Sequence, residues 1–476
     1  MIRPNLVASA SAVVALSLVA VGNAEAQSSR AWISGDHHIH SRWSVGWDTE
    51  TDPPTAIKGG DAIYPIAMNA TMARYYGLSW MVGTDHGGPN HSKVNREQAY
   101  PELLLSRKAV PEVVQFYAME FDTPGADHSS MIMPHTHDEA EKLEELESSF
   151  AARDAWPRDP TRNTEPKMIE ALEHMRDMDE PPVVIAHHPS RSADSIGVYG
   201  LDAPAEFRKW NNTAPNVAIG MEGAPGHQAV VFRATGDSVT PGPRGAYGRQ
   251  PTMGGFDQMT ARLGGFWDSM LGEGRHWWIT ANSDSHVNWR EGGADFWPGE
   301  YSKTYVYADR AHDDILDGIR GGRVFVTLGD LVSELWVTAE AGGAEAGIGG
   351  ELEVSSGSDV QISVRVLDPA GENSHGDSPE VRRVDVIIGE VHGHLDDPTV
   401  DTNPTTAILQ RFTRSEWSRD GDYIVVNVTI PNVGQDMYVR VRGTNGDELE
   451  PENDPPTEDP WDDLWFYSNP IFLTVR

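Results

Sequence analysis

The chain has 476 residues, 37 basic and 72 acidic side chains for a net charge of −35, and no cysteine. That length accommodates more than one domain and a sizeable core. The missing cysteines exclude disulfides, a cysteine-linked lipid anchor and thiol catalysis, and the charge opposes nucleic acid or an anionic membrane as partner.

The first 26 residues have the pattern of an export signal. Arg3 gives a positive start, residues 6–21 are a small-residue apolar run, and Ala24-Glu25-Ala26 suits cleavage. The mature protein is expected to begin near Gln27 and to be periplasmic or extracellular. No later run is long and apolar enough to span a bilayer. From about Ala31 to Leu328, apolar runs alternate with helical stretches. The runs are 80–83, 113–119, 183–186, 217–221, 277–280 and 304–307; the helical stretches are 139–153, 166–178, 256–271 and 312–320. Pro166 suits a first helical turn, and Leu172, Met175 and Met178 share a face. The alternation predicts a parallel sheet or barrel over residues 27–332. Residues 198–244 and 288–301 read as long irregular segments that wall or cover a site. Beyond residue 332 the pattern changes to period two, as in Val360, Ile362, Val364 and Val366, which predicts an antiparallel β-sandwich over 333–476. The acidic stretch 447–463 reads as a solvated loop.

Potential ligands sit at the ends of the apolar runs. Asp36-His37-His38-Ile39-His40 comes first, then Thr84-Asp85-His86, Glu120 with His128 eight residues later, His187-His188-Pro189, and Ser283-Asp284-Ser285-His286. Functional residues collect at the C-terminal ends of barrel strands. His38 and His40, two apart on an extended segment, share a face, as do Asp284 and His286. Imidazole mixed with carboxylate suits Zn, Mn or Fe better than Ca or Mg. More than four candidate ligands require more than one divalent ion, and two or three ions suit hydrolysis. Bound cations reverse the acidic field locally, so a phosphorylated small-molecule substrate is compatible with the net charge.

The order Asp-x-His-x-His, Thr-Asp-His, Glu, His, Ala-His-Pro, Ser-Asp-x-His resembles the PHP (polymerase and histidinol phosphatase) family of metal-dependent phosphoesterases, over residues 33–328. The resemblance implies a distorted (β/α)7 barrel with a two- or three-metal site, in which a metal-bridging hydroxide attacks phosphorus. It implies His38, His40, His86, Glu120, His128, Asp284 and His286 as ligands, with Asp36 and Asp85 orienting ligand histidines. Three departures stand out. Ala186-His187-His188-Pro189 offers two histidines for one ligand position, His187 or His188. The slot that follows the first histidine pair holds only Asp48, offset, which leaves two or three metals open. His37 replaces an apolar residue and reads as structural.

Arg191 is a candidate to hold a phosphate oxygen, and Asp284 or a histidine such as His286 to shuttle the proton of the leaving group. Glu222 would bind substrate or support a loop. His227, His392 and His394 read as surface residues, the pair His135 and His137 as a weak metal candidate, and Trp277 and Trp278 as core. Residues 461–470 look like the tail of exported PHP-domain proteins and should form a last aromatic strand, packed on the sandwich or the barrel. Two rival functions remain: a metal-dependent, amidohydrolase-like hydrolase of a C–N or C–O bond, and a non-catalytic, metal-stabilised binding protein. The oligomeric state is left open.

Overall fold

The computed structural model describes residues 30–226, 229–232, 244–247 and 249–476. The expected leader and His227 lie outside the described residues. The first half is built on nine strands: β1 (Ala31–Ile39), β2 (Trp80–Gly83), β3 (Val114–Asp122), β4 (His128–Ile132), β5 (Val183–Ala186), β6 (Ala218–Ala224), β7 (Trp278–Ala281), β8 (Ser302–Ala308) and β9 (Val324–Leu328). They lie in the order β9-β8-β1-β2-β3-β4-β5-β6-β7. The β1–β2, β2–β3, β5–β6 and β6–β7 pairs are parallel. β4 is antiparallel to both of its neighbours, and β8 to both of its own. The sheet is therefore mixed rather than parallel throughout. A tight turn with Gly125 at φ +82° folds β3 back into β4, where a parallel arrangement would need a long crossover.

The run at 80–83 is observed as read, and those at 113–119, 217–221 and 277–280 appear with boundaries shifted by a few residues. Helices Glu139–Phe150, Glu165–Arg176 and His312–Arg320 match expected stretches. Met168, Ala171, Leu172 and Met175 form the buried stripe of the second. The expected helix over 256–271 is instead two short ones, Gln258–Ala261 and Phe266–Gly272. Gly264, at φ +70°, breaks it, since only glycine adopts that conformation cheaply. Part of the stretch read as irregular, 198–244, holds helix Pro204–Thr213 and strand β6. Pro204 at the first helical turn and buried Phe207 and Trp210 were the available signals.

The C-terminal region adds β10 (Glu334–Ala341), β11 (Ser358–Leu367), β12 (Arg383–Glu390), β13 (Tyr423–Val433), β14 (Met437–Thr444), β15 (Trp465–Ser468) and β16 (Ile471–Val475). β10, β11 and β13 belong to a separate five-stranded antiparallel sheet. Val360, Ile362, Val364 and Val366 are all buried, as the period-two pattern requires. β15 pairs with β9 on one side, Phe325 opposite Ser468, and with β14 on the other. The aromatic tail thus continues the first sheet into the second half of the chain. The helix Phe266–Gly272 is tied to β14 by a fully buried ion pair. Arg440 Nε and Nη2 lie 2.8 and 2.7 Å from the two oxygens of Asp268. Among the described residues, no helix is long and apolar enough to cross a membrane.

Candidate metal centre

The functional side chains meet because their strands end at one edge. β1, β2, β5 and β7 lead directly into His38–His40, Asp85-His86, His187-His188 and Asp284–His286. β4 runs the opposite way, so its first residue, His128, reaches the edge where its neighbours end. Backbone hydrogen bonds tie these segments together: Thr84 N to Ile39 O at 2.8 Å, Glu120 N to Asp85 O at 3.1 Å, His187 N to His128 O at 2.9 Å and His40 N to Ser285 O at 3.0 Å.

Glu120 is the focus, with 1% of its surface exposed. Its Oε1 lies 2.9 Å from His187 Nδ1, 3.0 Å from His128 Nδ1, 3.3 Å from His38 Nε2 and 3.4 Å from His188 Nε2. Its Oε2 lies 2.6 Å from His86 Nδ1 and 3.6 Å from His40 Nε2. Asp284 Oδ1 is 3.1 Å from His40 Nε2 and 3.2 Å from His38 Nε2. The His286 ring stacks on His40 with centroids 3.7 Å apart, and its Nε2 is 3.4 Å from Asp61 Oδ2.

These contacts are close, yet many are not hydrogen bonds. Glu120 Oε2, His86 Nδ1, His128 Nδ1 and both ring nitrogens of His188 are buried without a hydrogen-bond partner. Leaving such an atom unsatisfied costs about 1–3 kcal/mol, and here five cluster in one space. Most of these side chains fall in groups whose ligand atoms lie within 4.8 Å of one another, close enough to share a cation. The groups that could hold an ion overlap: His38, His40 and Glu120; His86, Glu120 and His128; Glu120, His187 and His188; and His40, Asp61, His86 and His286. Glu120 belongs to three of these, as a bridging carboxylate would.

Outer contacts orient the rings. His38 Nδ1 faces Glu222 Oε1 at 2.8 Å and His40 Nδ1 faces Ser44 Oγ at 2.8 Å, so each points Nε2 inward. Asp36 accepts from the backbone N–H groups of His38 and Ser283 and joins their segments. Asp85 does the same for Ser41 through its N–H and hydroxyl. Burial, and His286 and His86 nearby, push His40 down to about 3, so its ring is neutral and free to coordinate. Burial would raise the Glu120 carboxyl, but His128, His86 and His38 outweigh it and hold it well below the usual carboxylate range. Burial opposes charge on His38 too, yet Asp284, Glu222 and Glu120 raise it well above an ordinary imidazole, a field that favours a cation at its ring.

Two of the candidate segments are strained. His188 has φ +26° and Asp284 φ +47°, each costing on the order of 1–3 kcal/mol for a non-glycine residue. Gly226 passes so close to Asp284 that a Cβ there would lie 1.8 Å from the Asp284 Cβ. Only glycine permits that approach.

The two adjacent histidines differ in their surroundings. His187 Nε2 meets Ser130 Oγ at 2.5 Å and its Nδ1 meets Glu120, so both nitrogens are engaged. Both nitrogens of His188 are unengaged. His37, read as structural, is buried between Ser130 Oγ at 3.0 Å and Thr280 Oγ1 at 2.8 Å. Burial, with His38 beside it, pushes His37 down to about 3. Asp48 is carried into a two-stranded ribbon, Gly46–Asp48 with Thr55–Ile57, where its Oδ1 accepts from Glu50 N at 3.0 Å. The carboxylate that joins His40, His86 and His286 is Asp61, on the chain returning from that ribbon. Arg191 donates through Nη2 to Asp127 Oδ1 at 2.9 Å. His137 is almost fully exposed and His135 turns to Glu139, away from the cluster. Trp277 and Trp278 are buried in the core. The sequence reading missed Asp61 and also Asp295, whose Oδ2 accepts from the backbone of His286 at 2.7 Å and of Val287 at 3.1 Å.

No family model matches the chain, and no curated protein matches it.

Proposed function

We propose that this chain is an exported, metal-dependent hydrolase of phosphate esters, similar to the PHP family in fold and site. The observation that carries the reading is Glu120: one buried carboxylate faced by five imidazoles between 2.6 and 3.4 Å away, several of them otherwise unpartnered. A mononuclear structural site does not need so many ligands. The approach of β7 to β8, with Ala281 N donating to Thr304 Oγ1 at 2.8 Å, and of His40 to Ser285 supports a sheet closed as a barrel. In this reading residues 27–332 form the catalytic domain and 333–476 a β-sandwich that is stitched to it through β15.

His38, His40, Glu120 and Asp284 would hold one ion. Glu120, His128 and His188 would hold a second, and His86, His286 and Asp61 a third, with Asp61 in place of Asp48. Bound divalent ions supply Lewis acidity that activates water at neutral pH and offsets phosphoryl charge. The chain's own residues do the rest. Arg191, steadied by Asp127, keeps further N–H groups to grip a phosphoryl oxygen. Asp284 or His286 would take the proton of the attacking water and pass it to the leaving oxygen. Glu222 fixes the His38 ring, and Asp36 and Asp85 fix the backbone of the ligand segments, before substrate arrives.

Purified, metal-loaded protein should release phosphate from phosphomonoesters or cleave phosphodiesters. A panel of amides and lactones in the same assay separates this reading from an amidohydrolase-like enzyme. Bound metal with no turnover of either phosphate class would overturn the phosphoesterase proposal.

A further inference from the structure

A second pocket opens beside the metal centre. It is a cavity of about 200 Å³ whose wall includes Asp122, Asp127, His128, Arg153, Arg158 and Asn163. His128 is shared: its Nδ1 is 3.0 Å from Glu120, so the pocket begins where the proposed ligands end. The wall carries two arginines and two aspartates, and both aspartates are paired with arginine. Arg153 Nε donates to Asp122 Oδ1 at 2.7 Å, which fixes the guanidinium and neutralises that carboxylate. Asp127 is neutralised in the same way by Arg191. Arg158 is exposed, and among the described residues no hydrogen bond or ion pair engages it. Asn163 spends its oxygen on Gly125 N at 2.7 Å and keeps its amide N–H groups free. In a chain with 72 acidic and 37 basic residues, an arginine left unpaired beside a metal centre has a clear use in gripping an anion.

We propose that this pocket is an anion subsite, and that the substrate carries a second oxyanion, phosphate or carboxylate, apart from the bond that is cleaved. Arg158 and Arg153 grip that group while the reacting ester lies at the metal ligands. The proposal rests on the hydrolase reading only for where the reacting ester sits.

The test is binding, so it does not depend on turnover. The full chain loaded with metal is titrated by calorimetry with alkane-α,ω-bisphosphonates of two to six carbons, with ω-phosphonocarboxylates, and with alkylphosphonates of equal length. At one chain length a two-headed ligand should bind at least about tenfold tighter than the alkylphosphonate, one charge-assisted contact's worth. Whether the bisphosphonate or the phosphonocarboxylate gains more identifies the second group. Arg158→Ala should bring the ratio of affinities close to one, and Arg158→Lys should restore part of it. Arg158 is exposed, so neither change endangers the fold. A ratio near one at every length in the unaltered protein, or a ratio unmoved by Arg158→Ala, would overturn the proposal. A high, Arg158-dependent ratio in a protein that turns over no phosphate ester would sustain the subsite and sink the hydrolase reading alone.

Discussion

Glu222 Oε1 lies 2.8 Å from His38 Nδ1, while its other oxygen accepts the backbone N–H of His188. One fully buried carboxylate therefore sets the ring of one proposed ligand and the main chain of another. Removing it should disturb two ions together. Outer partners of ligand histidines are typically worth 10–100-fold in metal affinity. Glu222→Ala should weaken metal binding by about that factor, and Glu222→Gln, which keeps the shape but loses the charge, by less. Chelator competition measures both. Unchanged metal affinity in Glu222→Ala would remove the positioning role.

His187 and His188 should separate cleanly under mutation. His188, with both nitrogens unengaged, is expected to act through metal: His188→Ala should lower metal content in a folded protein. His187 is hydrogen-bonded on both sides, so His187→Ala removes one buried partner from Ser130 and one from the Glu120 carboxylate. A hydrogen bond to a charged group contributes about 1.5–3 kcal/mol, and the loss of stability should be of that size. Metal analysis and chemical denaturation of the two variants decide the matter, and the reverse pattern would reassign the ligand.

A buried pair away from the proposed ligands predicts a pH dependence of stability. His91 Nδ1 lies 2.7 Å from Glu147 Oε1, and both side chains are fully buried. Burial disfavours the imidazolium, but Glu147 outweighs it and raises His91 to about 9. A histidine whose folded value exceeds its unfolded one stabilises below the unfolded value, and that contribution is lost as pH rises through the folded one. With an unfolded value near 6.5, stability should decline between about pH 6.5 and 9. His91→Gln should flatten that slope. Denaturation midpoints across this range test it, and an equally steep slope in His91→Gln would refute the assignment.

Much of the site was legible in the sequence because strand ends are legible. His38, His40, His86, Glu120, His187, His188, Asp284 and His286 each follow an apolar run, and the structure brings them to one edge. His128 lies eight residues after Glu120, but it reaches the site because β4 is antiparallel, which the spacing alone did not reveal. Asp61 and Asp295 follow no apolar run. Each arrives on an irregular excursion, and no periodicity marks where such an excursion returns. Alternation in the second half showed which faces are buried, since period two fixes faces, but not which strands pair. The pairing of β15 with β9 spans the 136 residues between Leu328 and Trp465 and lay beyond that signal.

That pairing has a consequence for unfolding. β15 joins the two halves through backbone hydrogen bonds, and Arg440 joins them through Asp268 with both side chains about 1% exposed. Tyr438 OH adds a hydrogen bond to the same carboxylate at 3.0 Å. Breaking a buried pair by removing one partner leaves the other charge uncompensated, at a cost of about 3–5 kcal/mol. Asp268→Ala should therefore destabilise by that amount. The two halves should also melt together, because the large sheet runs through both of them. Chemical denaturation followed by two probes tests both expectations: near-ultraviolet circular dichroism for aromatic packing, and loss of bound metal for the centre around Glu120. Coincident curves, shifted together in Asp268→Ala, are expected. Curves that separate, with metal retained after the aromatic signal is lost, would show that the C-terminal strands are an independent unit docked on the first.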